Sequence, residues 1–223
     1  MNIKKIFKAE TFVTIVIIAL SLFLYMVFKV DGNFQKLVST IGFLFLMPVL
    51  YIKLILKKSL GDFGIKIGDW KKGIIYSVIC MFVLAIIFYF LFTKFNFIEK
   101  YYLPTSVIVN FKSFILRELL IVGFFIALYE FFFRGFVMFY FLDKFKSVYY
   151  SNLLQVIIFY LFLVSVGTFD WARAPYILLA PLAGIVAQKS QSILYSFIFS
   201  WIAFLIIDTV FIKIIIKTAL LQQ

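Results

Sequence analysis

The sequence predicts an all-α polytopic membrane protein, a bundle of about seven transmembrane helices, and three observations carry that prediction. Hydrophobic residues fill 65% of the 223 positions and charged residues only 14%, against about 25% charged in an ordinary globular chain. The 32 Phe and 13 Tyr are more apolar bulk than one soluble core of this size can hide, since such a domain still leaves about a quarter of its unfolded surface wet. Finally, uncharged runs recur down the chain, most of them near the roughly 20 residues that span a hydrocarbon core, and none alternates as a barrel strand does.

The first span, at about 11–29, follows Lys4, Lys5 and Lys8. Its apolar run is longer than a secretory core region and no small-x-small cleavage site follows, so it reads as a retained helix. The second and third spans lie at about 37–56 and 73–93. Between them come Lys53, Lys57, Lys58, Lys66, Lys71 and Lys72, with Gly61, Gly64, Gly68 and Trp70, as expected of a loop at the head groups with an interfacial tryptophan. The fourth, at about 113–142, is apolar enough to span yet carries Arg117, Glu118, Glu130 and Arg134. The fifth is placed at about 147–166. The sixth and seventh, about 174–188 and 191–212, abut at Lys189 and predict a tight hairpin whose last helix runs past Asp208 towards Lys213. Pro48, Pro175 and Pro181 are expected to kink or start helices. Gly123, Gly135, Gly167 and Gly184 allow close helix approach without forming a G-x-x-x-G pair. Nothing divides the chain, so residues 1–223 are expected to form a single transmembrane domain.

The 22 Lys and Arg outnumber the 10 Asp and Glu, and histidine is absent. With no His and the lone Cys80, a structural zinc site and an intrachain disulfide are both excluded. No metal and no cofactor is expected. The cations sit in short loops beside apolar runs, where anionic lipid and topology account for them better than nucleic acid does. Lys-rich segments before the first span, in the second loop and at Lys144 and Lys146 put the N-terminus in the cytoplasm by the positive-inside rule, in a cell (plasma) membrane.

Charges at membrane depth are expensive, about 3 kcal/mol or more each at mid-bilayer, and mark either packing locks or functional sites. Glu130 and Arg134 stand one helical turn apart, so they share a face and can pair. Arg117 and Glu118, near the outer end of the same helix, are expected to snorkel to the interface. Asp208 is expected to pair with Lys213 nearer the surface. Ser200 is expected to bond back to a carbonyl one turn earlier, and Asn152 and Gln155 to make helix-to-helix hydrogen bonds.

The stretch Ala127-Leu128-Tyr129-Glu130-Phe131-Phe132-Phe133-Arg134-Gly135-Phe136-Val137 resembles the first motif, E-E-x-x-x-R often followed by Gly, of the CAAX protease and bacteriocin-processing (CPBP, or Abi) family of intramembrane proteases. Later blocks are similar in order and spacing: Val156 to Leu163 looks like the family's F-x-x-x-H helix, and Pro181 to Trp201 like the segment around its H-x-x-x-N/D motif. The resemblance covers about 105–210. It implies a CPBP-like bundle in which the leading Glu of the motif activates water while two His and a final Asn or Asp bind and polarise the site. In this chain Glu130, Arg134 and Phe159 keep the expected type, whereas Tyr129, Leu163, Ser200 and Phe204 stand at the leading Glu, the two His and the Asn/Asp.

A phenol with a pKa near 10 is a poor general base, and Leu163 and Phe204 offer no polar atom. The expected function is therefore a catalytically inactive or strongly impaired homologue, with no confident catalytic residue. It would act as a membrane scaffold or binding protein for a membrane protein or peptide, in an immunity-, chaperone- or regulator-like role. Two alternatives stay open: an active intramembrane peptidase with a rearranged site using Glu130, and a small carrier or channel with a polar path at Glu130 and Arg134.

Overall fold

Long runs of Leu, Ile, Phe and Val with few breakers leave the backbone no partner but itself in hydrocarbon, and the helix satisfies every N–H and C=O within one segment. The computed structural model describes residues 3–28, 35–94, 101, 103–167 and 174–220, and it is an all-α polytopic bundle. Its elements are α1 (Ile3–Val27), α2 (Gln35–Ile55), α3 (Trp70–Lys94), α4 (Phe111–Phe145), α5 (Val148–Val166), α6 (Ala174–Ser190) and α7 (Ile193–Leu220), with a short turn of helix at Thr105–Val109 before α4. Six of the seven are long and apolar enough to cross a membrane. The exception is α6, whose 17 residues reach about 25 Å at 1.5 Å per residue, short of a ~30 Å core.

The central element is α4. Of its most apolar window 61% is buried inside the protein, whereas no other spanning helix exceeds 39%. One apolar cluster joins it to α1, α2 and α5 through Phe131, Phe132, Phe133 and Phe136, and a second joins α3, α6 and α7 around Leu84, Ala183 and Phe199. The triple Phe131-Phe132-Phe133 is accordingly interior packing, 0–3% exposed. Along α4 the helix widens to i→i+5 turns at Arg117–Val122 and again at Glu130–Met138. Both wide segments open on a charged residue, and such turns are uncommon enough to mark special sites.

The loop between α2 and α3 is docked on protein. A capping box of Ser59 and Asp62 starts its single turn of 3₁₀ helix, and Phe63 is buried against α4. The backbone then bonds to the α6–α7 hairpin: Asp69 N–H donates to Ser190 O at 2.7 Å and Ile193 N–H to Gly64 O at 2.9 Å. Gly68 is needed there, because at φ +62° a Cβ would fall 2.2 Å from Ser190 O. The hairpin turns at Gln191 with φ 55°. Of the prolines, Pro181 lies inside α6, and Lys29 and Asp31 of the first loop lie outside the described residues.

Candidate functional site

Among the described residues, the buried charged groups lie on two helices that run antiparallel, α4 and α7. Glu130 and Arg134 are 2% and 3% exposed, and the Arg134 Nη1 to Glu130 Oε1 distance is 3.5 Å. A carboxylate has about four acceptor positions, so one loose ion pair does not satisfy it. The rest comes from α7: Ser200 Oγ donates to Glu130 Oε1 at 2.9 Å and Ser196 Oγ to Oε2 at 2.7 Å. Ser200 therefore does not bond back along its own helix as expected. The reason is that α7 presents its small face to α4, and a buried charge is the stronger acceptor.

Arg134 reaches a third helix. Its Nη2 donates to Ala180 O at 3.3 Å, and its guanidinium lies 5.4 Å from the centre of the Phe159 ring. Gln155 Nε2 donates to the same carbonyl at 3.1 Å, and Asn152 Nδ2 to Pro181 O at 3.1 Å. Both carbonyls lie at Pro181 in the interior of α6, and they accept these side-chain bonds as second partners. Thus Asn152 and Gln155 do bridge helices, and Ala180 O links them to the Glu130 cluster.

One small cavity is bordered by Tyr129, Glu130, Arg134, Phe159, Ser200 and Phe204, with Tyr176 closing it. Of the seven positions Tyr129, Glu130, Arg134, Phe159, Leu163, Ser200 and Phe204 only Leu163 is missing from that lining; it packs half-buried in the core beside α1 and α4. The space open to water is about 20 Å³, enough for a single molecule. Phe204 and Tyr176 fill what remains, their rings 4.4 Å apart. Tyr129 borders the cavity, but its hydroxyl is 3.3 Å from Tyr25 Oη, on α1. Among the described residues no three of His, Cys, Asp and Glu converge as a metal-binding group would require.

A second polar cluster corrects the sequence reading of Arg117, Glu118 and Asp208. Glu118 and Asp208 are 0% and 1% exposed, so neither is at the surface. Arg117 Nη1 pairs with Glu118 Oε1 and, at 2.6 Å, with Asp208 Oδ2, while Tyr101 Oη donates to Asp208 Oδ1. Burial, then the Asp208 carboxylate, hold the Tyr101 phenol far above its ordinary pKa, so it serves as a neutral donor. Trp201 Nε1 donates to Glu118 O at 2.9 Å. Asp208 meets Arg117 rather than Lys213 because α7 lies along α4. A signal for this was present: Glu118 and Glu130 are twelve positions apart, as are Ser196 and Asp208, the equal spacing that two antiparallel helices need to meet twice.

Comparison of the chain with family models, with curated proteins and with solved structures returns no match.

Proposed function

We propose that this chain is a catalytically inactive or strongly impaired homologue of the CPBP intramembrane proteases, one that acts by binding. It would serve as a scaffold for a membrane protein or peptide, in an immunity-, chaperone- or regulator-like role. The observation that carries the reading is that both oxygens of Glu130 are already engaged, Oε1 by Ser200 and Arg134 and Oε2 by Ser196. A general base has to be free to take a proton from water, and here the adjoining space of about 20 Å³ has room for a single water-sized molecule and not for a peptide. Tyr129, Leu163, Ser200 and Phe204 further support it, because none of them can replace a carboxylate or an imidazole.

The test is a cleavage assay with the purified protein in detergent, using membrane-derived peptides. No cleavage is expected. Cleavage abolished by Glu130→Gln would overturn the proposal and install the rearranged peptidase in its place. The carrier or channel reading draws on the second buried cluster at Arg117, Glu118 and Asp208. An ion flux in proteoliposomes that both Glu130→Gln and Arg134→Leu abolish would favour it.

The orientation belongs to the same proposal. Lys53, Lys57, Lys58, Lys66, Lys71 and Lys72 favour a cytoplasmic second loop and N-terminus in a cell (plasma) membrane. A cysteine placed at position 58 in a Cys80→Ala background should react with an impermeant maleimide only after the cells are opened. Labelling of intact cells would reverse the topology.

A further inference from the structure

The cluster at the other end of the α4–α7 contact has a deficit of its own. It joins two carboxylates to one guanidinium. Glu118 and Asp208 are 0% and 1% exposed, and both touch the same Arg117 nitrogen, which sets them within the ~4–6 Å where like charges oppose each other's ionisation. Among the described residues, the other groups around them bring no positive charge: Tyr101 is a neutral donor to Asp208, Trp201 gives its N–H to the Glu118 main chain, and Tyr176 of α6 lies beside Tyr101. With both acids ionised, the bundle would bury an uncompensated negative charge, an arrangement protein interiors do not tolerate without a partner.

Hydrogen bonding shows the same deficit independently. Three of the four carboxylate oxygens have donors, Glu118 Oε1 and Asp208 Oδ2 from Arg117 and Asp208 Oδ1 from Tyr101. The fourth, Glu118 Oε2, is buried with none. One added hydrogen answers both deficits, since it cancels the excess charge and gives Glu118, beside the Asp208 carboxylate, a hydrogen to donate. We infer that Glu118 and Asp208 form a proton-binding site, sharing one proton at neutral pH above the single cation of Arg117. Arg117 is 26% exposed, so the site reaches the protein surface through its guanidinium. The inference is independent of the proposed protease ancestry, because none of these residues belongs to the family motif.

Infrared spectroscopy of the full chain in detergent tests this directly. At pH 7 the wild-type protein should show the C=O band of one protonated carboxylic acid. The band should disappear in Glu118→Gln and in Asp208→Asn and persist in Glu130→Gln. No band in the wild type, or a band that survives both amide variants, or one lost only with Glu130→Gln, would overturn the site. If the amide variants fail to fold, the otherwise native chain carrying Trp70→Phe and Trp171→Phe leaves Trp201 as the reporter beside Glu118. Alkaline titration should then remove the band together with a shift in Trp201 emission. A band lost while Trp201 stays silent would place the proton elsewhere and overturn the proposal.

Discussion

Ser200 Oγ donates a 2.9 Å hydrogen bond to Glu130 Oε1, from α7 across to α4. With Ser196 on the other oxygen at 2.7 Å, it locks the register of the two helices around a carboxylate that hydrocarbon would otherwise reject. Removing one hydroxyl leaves a buried acceptor short of a partner, which costs about 1–3 kcal/mol. Ser200→Ala and Ser196→Ala should each lower stability by that amount in detergent unfolding experiments. Because the two share Glu130, the double variant should depart from additivity; strict additivity would mean that the two bonds are independent.

Arg134 is the only basic partner of Glu130 among the described residues, and it also donates to Ala180 O. Breaking a buried pair by removing one member costs about 3–5 kcal/mol, because the other charge is left alone. Arg134→Leu should show that loss, and Arg134→Leu combined with Glu130→Gln should recover part of it. A double variant as unstable as the sum of the two singles would deny the pairing.

Gly184 on α6 faces α5 with no room for a methyl group. A Cβ there would lie 1.9 Å from Asn152 Oδ1 and 3.1 Å from Gln155 Nε2. Overpacking of this kind costs about 1–3 kcal/mol, so Gly184→Ala should destabilise the bundle by that order in a thermal melt. Adding Asn152→Ala removes the clashing amide and should restore a large part of the loss. Unchanged melting of Gly184→Ala alone would show that α5 and α6 are further apart than described.

Asp69 caps α3: its Oδ1 accepts from Lys72 N–H at 3.1 Å and its Oδ2 pairs with Lys72 Nζ at 3.0 Å. The backbone bond, then the side-chain contact, hold its pKa below the usual 3.8. A carboxylate depressed in the folded state stabilises it above the unfolded value, and that contribution is lost as pH falls through the lower folded value. Asp69→Asn should therefore lower stability on the neutral side and converge with the wild type as pH falls below about 3.8, which flattens the acid limb of the stability–pH curve. An unaltered acid limb would contradict the cap.

Legibility divides by distance along the chain. The Glu130–Arg134 pair was readable because one helical turn separates them. The bond of Ser200 is not legible in the sequence, since its acceptor is seventy positions away and its own helix offers a nearer carbonyl. For Arg117 and Glu118 the sequence points to the surface, because a place near a helix end says nothing of what covers that end. Trp201, Tyr101 and Asp208 cover it, and each arrives from elsewhere in the sequence.

By itself the sequence determined the solvent and the secondary structure. Apolar runs of membrane-crossing length, 32 Phe and few charges admit lipid as the surrounding medium, and in lipid a backbone has to close its hydrogen bonds within a helix. It also showed where charge interrupts those runs. Tertiary structure alone decided which polar groups meet: Glu130 with Ser196 and Ser200, Arg134 with the Ala180 carbonyl, and Glu118 and Asp208 on one arginine. The physical reason is that burial of apolar surface specifies only that helices associate, whereas the pairing of buried polar atoms depends on the rotation and register of each helix against its neighbour. Those are settled jointly, by every contact along α4, α6 and α7.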